Sequence, residues 1–154
     1  MIAPGVTVFD ELEEEYEVTE MIGNGSFGFV YKIIKKSDES IFALKTLPTN
    51  FQSQEAHLTF VNECKLAMNI SHKNTIKYLF VHNGDKYPDL PPYLIMEYAN
   101  QGTLLRCLDK QKAEGAFFNN DILKEFFSQL IEGMKHINNT LVHRDIKAEY
   151  MMAH

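Results

Sequence analysis

Three glycines spaced Gly23-x-Gly25-x-x-Gly28 stand between two runs of strand-forming residues, and nothing else in the chain restricts its fold so strongly. The run that follows, Phe29-Val30-Tyr31-Lys32-Ile33-Ile34, is rich in β-branched and aromatic side chains, which suit a strand. A dinucleotide site of the Rossmann type would run strand, glycines, helix. Here the glycines join two strands instead. A hairpin of this kind lets backbone N–H groups approach phosphates without side-chain obstruction. Taken alone, the motif also fits an ordinary glycine-rich hairpin.

Short strands with one inserted helix are expected from Tyr16 to about Tyr98. Glu17–Ile22, Phe29–Ile34 and Ile41–Leu47 read as strands, the last two separated by the polar turn Ser37-Asp38-Glu39-Ser40. Beyond Pro48, Leu58, Val61, Leu66 and Ile70 recur at roughly helical spacing, which predicts an amphipathic helix from Gln54 to about Ile70. Ile76–Val81 and Tyr93–Met96 read as two further strands around a loop marked by Asn83-Gly84-Asp85 and Pro88, Pro91 and Pro92. From Gly102 onward the pattern is helical. Thr103–Lys112 is a short segment, and Asn120 or Asp121 can cap a longer one. The longer one carries Ile122, Phe126, Phe127, Leu130, Ile131, Met134 and Ile137 along a broad apolar stripe.

A chain of 154 residues with a formal charge of −6 is long enough for a buried core and is no generic nucleic-acid binder. Asp10, Glu11, Glu13, Glu14, Glu15, Glu17 and Glu20 crowd the approach to the glycines and read as a solvated face or tail. Cys64 and Cys107 have neither metal-ligand nor disulfide-framework spacing, so buried free thiols are expected. No signal peptide is visible, and no apolar run approaches the roughly 20 residues a membrane helix needs. A reducing, cytoplasmic setting without membrane contact is the default.

Two further features carry chemistry. Lys45 lies in an otherwise apolar strand behind the glycine hairpin, placed to reach the same phosphates, and the next helix offers Glu55 and Glu63 as partners. Glu63, two turns before the helix end, suits a residue pointing inward, whereas Glu55 reads as solvated. Near the end, His143-Arg144-Asp145-Ile146-Lys147 can present a carboxylate to a substrate hydroxyl, with a lysine two residues on to neutralise charge.

Together these residues resemble the eukaryotic-type protein kinase family, serine/threonine-like, over essentially Tyr16 to Lys147. The glycine loop matches its G-x-G-x-x-G-x-V pattern, and Phe42-Ala43-Leu44-Lys45 is similar to its V-A-I-K strand. Ser71-His72-Lys73-Asn74 resembles its turn into the next strand, and Leu94-Ile95-Met96-Glu97-Tyr98-Ala99 its hinge. The resemblance implies an α+β fold: a five-stranded antiparallel sheet with one helix, then the first helices of an incomplete large lobe. The corresponding divisions are an acidic extension over 1–15, the small lobe over 16–98 and the start of the large lobe over 99–154. It implies ATP and Mg²⁺ as cofactors and a protein substrate. Gly23, Gly25, Ser26 and Gly28 would form the lid, Lys45 and Glu63 the phosphate clamp, and Ile22, Val30 and Ala43 the walls around adenine. Met96 would gate the pocket, with the backbone of Glu97 and Ala99 bonding the base. Asp145 would be the catalytic base and Lys147 the electrostatic stabiliser.

The sequence departs from the family in two places. Tyr150 stands where the family's loop has a metal-binding Asn, and no Asp-Phe-Gly follows, so no metal ligand is assigned. The alternative is therefore a pseudokinase-like module that binds nucleotide or docks a partner without catalysis. A truncated or frame-shifted gene, or a fragment, is the expected reason for the ending, with self-association through an uncovered large-lobe helix.

Overall fold

The computed structural model describes residues 2–25, 28–47 and 53–139. They fall into two units, Met1–Asn69 with Lys77–Tyr98 and Ile70–Ile76 with Ala99–His154. The first is a sheet with one helix. Its strands are β1 (Thr7–Phe9), β2 (Glu15–Gly25), β3 (Gly28–Lys35), β4 (Ile41–Thr46), β5 (Tyr78–His82) and β6 (Tyr93–Glu97), and its helix is α1 (Gln54–Ala67). The strand order is β1-β2-β3-β4-β6-β5, antiparallel at every pairing. The five expected strands are all present, and β1 adds a sixth from the segment expected to be a solvated extension.

The register divides the side chains between two faces, because directly opposed residues of an antiparallel ladder point the same way. Tyr31, Leu44, Ile95 and Phe80 oppose one another across four strands. They join Val8, Val18, Ile33 and Tyr93 in the main core. The other face carries Leu94 against Phe60, Val61 and Cys64 of α1, with Tyr78, Val81 and Met96 beside them. Helix α1 starts at Ser53, whose hydroxyl accepts from Ala56 N at 3.1 Å. Its buried stripe is Phe60, Val61 and Cys64, whereas Leu58 and Leu66 are exposed, contrary to the periodicity reading. The helix closes at Met68, two residues short of Ile70.

The acidic run is folded rather than free. Asp10 accepts hydrogen bonds from Leu12 N, Glu14 N and the Tyr16 hydroxyl. Glu13 pairs with Lys86, Glu14 with Lys35 and Glu15 with Lys36. Those lysines lie 21 or more positions downstream, so no local window of sequence displays the pairing.

The second unit contains α2 (Leu104–Ala113) and α3 (Asn120–Ile137). Thr103 caps α2 and Asn119 caps α3, the latter accepting from Ile122 N at 2.8 Å, so the α3 cap precedes both expected positions. The loop 70–76 is tied to α3. Asn74 Nδ2 donates to Gln129 O at 3.0 Å, Lys73 pairs with Glu132 at 3.1 Å, and His72 stacks on His136 at 5.1 Å. Gly133 permits this approach, since a Cβ there would sit 3.0 Å from Asn74 O.

Candidate nucleotide-binding face

The β2–β3 hairpin depends on Gly28. Its φ of +116° is one that L side chains rarely adopt, and a Cβ would stand 1.9 Å from Thr46 O on β4. The strand that carries Lys45 thus runs directly beneath the end of the glycine loop. Gly25 opposes Gly28 in the ladder, and Gly23 opposes Val30, with Ile22 as the extra residue of a bulge.

From that hairpin the register builds a row. Gly23 opposes Val30, Val30 opposes Lys45, and Lys45 opposes Leu94. A second row on the same face runs Glu20, Lys32, Ala43 and Met96. Val30, Ala43, Lys45 and Met96 therefore share one surface, although 66 positions separate the first from the last. This arrangement places an ammonium group among apolar side chains behind a loop of backbone N–H donors. Its chemistry suits a flat apolar ligand carrying phosphates.

Lys45 and Glu63 do not join. Among the described residues no ion pair links them, and Glu63 is exposed on the flank of α1. Both charges act on the Cys64 thiol, which burial pushes up to about 11 while Lys45 pulls it down and Glu63 raises it. Cys64 is the buried thiol expected from the sequence, and Cys107 is half-buried. Glu55 is exposed.

At the end of β6 the Glu97 N–H donates to Lys77 O at 3.0 Å, and Phe42 opposes Glu97 in the ladder. Ala99 is buried. Lys32, one row outward from Lys45, pairs with Glu20 at 3.5 Å and lies 6.0 Å from the centre of the Tyr98 ring. The Lys32–Glu20 pair was not singled out by motif, because it follows from the register of the strands. Ser26, Asp145, Lys147 and Tyr150 lie outside the described residues.

The protein kinase domain family model matches residues 16–154. The chain belongs to that family. Serine/threonine-protein kinase Nek8 of Danio rerio is 31% identical over 140 residues, covering 90% of this chain and 19% of that protein. Probable serine/threonine-protein kinase nek2 of Dictyostelium discoideum is 30% identical over 87% of this chain and 32% of its own length. Serine/threonine-protein kinase Nek2 of Homo sapiens is 29% identical, with 87% and 31% covered. The chain thus spans between 19% and 32% of the length of these relatives. Its α+β fold fits a kinase small lobe, extended by one strand, followed by the first large-lobe helices.

Proposed function

We propose that this chain binds ATP on the β3–β4–β6 face as part of a serine/threonine kinase that transfers the γ-phosphoryl group to a protein hydroxyl. The observation that carries the reading is the row Gly23–Val30–Lys45–Leu94, which sets one cation among apolar groups behind the glycine hairpin. Val30, Ala43 and Ile22 enclose adenine, with Met96 at the back and the backbone of Glu97 and Ala99 at its edge. Gly23, Gly25, Ser26 and Gly28 cover the phosphates, and Lys45 contacts them, steadied by Glu63 once α1 turns that carboxylate inward. Asp145 accepts the substrate proton and Lys147 offsets charge on the moving phosphoryl group. Mg²⁺ accompanying ATP would neutralise the β- and γ-phosphates. Among the described residues no three His, Cys, Asp or Glu side chains gather as a metal site.

Lys45→Met tests the reading. It should weaken binding of a fluorescent ATP analogue by roughly ten- to a hundredfold, the loss of a charged hydrogen bond worth roughly 1.5–3 kcal/mol. Melting should change little. Unchanged affinity would remove Lys45 from the site.

A second reading, a non-catalytic nucleotide-binding or partner-docking module, is favoured by the missing Lys45–Glu63 ion pair and by Tyr150 in place of the family's Asn. Nucleotide binding without Mg²⁺-dependent phosphorylation of a generic protein substrate would select it. Either reading goes with a cytoplasmic setting. No described helix is long and apolar enough to cross a membrane. Self-association would use α3, where Phe127 is 61% and Ile131 is 52% exposed.

A further inference from the structure

Residues 2–14 are fastened to the sheet at a place remote in register from the Lys45 row. Val8 is fully buried in the main core, with Ile2 beside it. The Tyr93 hydroxyl donates to Phe9 O at 2.7 Å and accepts from Phe9 N at 3.1 Å, holding both backbone groups of one strap residue. Tyr87 stacks on the Phe9 ring at 4.6 Å. Glu13 pairs with Lys86 from the loop that carries Tyr87.

His82 closes this cluster. Its ring stacks on Tyr93 at 4.6 Å and lies 5.7 Å from Tyr87. The residue is 3% exposed, and its Nε2 is buried without a hydrogen-bond partner. A cleft of about 270 Å³ beside it is lined by Asp10 and Glu11 of the strap, Lys65 of α1, and Lys86 and Tyr87 of the loop. A buried, unpartnered nitrogen is tolerable on a neutral imidazole, which can present a lone pair. On an imidazolium the same atom becomes a charged N–H donor with nothing to receive it.

We propose that residues 2–14 form a proton-sensitive strap, clipped through Phe9 to Tyr93 and Tyr87, which opens from the sheet when His82 is protonated. The charges facing His82 do not prevent this. Asp85 and the Tyr87 backbone favour the imidazolium, yet burial outweighs both and holds His82 below its ordinary 6.5. Lys65 and Lys86 oppose a new cation, Asp10 is engaged by Tyr16 and two backbone amides, and Glu11 is exposed. Once the strap lifts, water reaches the imidazole and its ordinary value returns. The closed form is therefore fully favoured above that value and loses ground as pH falls through it, by about tenfold for each unit. Because β1 pairs with Glu15–Glu17, opening also loosens the root of the strand that carries the glycine hairpin.

Hydrogen exchange on the full chain without nucleotide tests the strap independently of the ATP reading. After correction for intrinsic rates, the Gly5, Phe9 and Val18 amides should open about tenfold more at pH 5.5 than at pH 7.5, with β4 and β6 unchanged. His82→Phe, which keeps a ring against Tyr93, should abolish the difference, and His82→Gln should do the same. An undiminished pH response in the variants, or a loss spread evenly over β3, β4 and β6, would overturn the proposal. Should neither variant fold, an NMR titration of the wild-type imidazole decides. A value well below 6.5 upholds the strap, and one at or above 6.5 rejects it.

Discussion

The sheet unit and the helical unit are built from equally apolar sequence but bury it very differently. Tyr31, Ile33, Leu44, Tyr93, Leu94 and Ile95 are each at most 1% exposed in the sheet. In the helical unit α2 has no buried residue, and Gly133 is the only one in α3. The difference follows from how each element finds partners. A strand gains its neighbours through backbone pairing, so one register places whole rows of side chains against each other. An amphipathic helix closes its own hydrogen bonds and leaves its stripe to whatever packs on it. Stability should therefore reside in the sheet, and association in the helices.

Truncation in the sheet gives the largest effect. Leu44, 0% exposed between Tyr31 and Ile95, should cost about 2–5 kcal/mol when changed to Ala, by lost burial and the cavity left behind. Leu108 of α2, 39% exposed, should cost no more than about 0.5 kcal/mol for the same change. Urea denaturation of both variants measures the contrast. Equal losses would break it.

The same contrast explains what could be read from the sequence. The glycine hairpin was legible because its cause is local: backbone freedom at Gly28 and strand-forming residues on both sides. The core strands were legible for the same reason. The face of α1 was not, since Leu58 and Leu66 have helical spacing as good as Val61, and only the position of Leu94 decides which side is buried. The strand β1 (Thr7–Phe9) was hidden by the acidic run that follows it. Glu13, Glu14 and Glu15 read as solvated until Lys86, Lys35 and Lys36 are brought to them by the fold. At the candidate site, Lys45 and the glycines were visible as motifs, whereas the Lys32–Glu20 rim is a consequence of register.

A smaller effect on stability, with a larger one on solution behaviour, is expected on α3. Phe126 packs edge-on against Phe118 at 5.6 Å, so Phe127 and Ile131 are the better sites to change than the adjacent pair Phe126 and Phe127. Phe127→Ser with Ile131→Ser should shift sedimentation toward monomer while moving the urea midpoint little. Wild-type chain that already sediments as a monodisperse monomer would show that the stripe is not an association surface.

The smallest effect sharpens the comparison from the helical side, where polar ties rather than buried area hold loop 70–76 to α3. The Lys73 ammonium, by hydrogen bond and by charge, holds the Glu132 carboxyl below its ordinary 4.5. A carboxyl depressed in the folded state contributes stability above its ordinary value and loses it as pH falls through the folded one. Lys73→Ala should therefore lower the melting temperature slightly at neutral pH, and the gap from wild type should close at acid pH once Glu132 is protonated in both proteins. The side chains are exposed, so added salt should shrink the neutral-pH gap as well. A gap that persists unchanged at low pH and in high salt would mean that Lys73 acts through packing of its stem, and that the helical unit buries more than its exposures indicate.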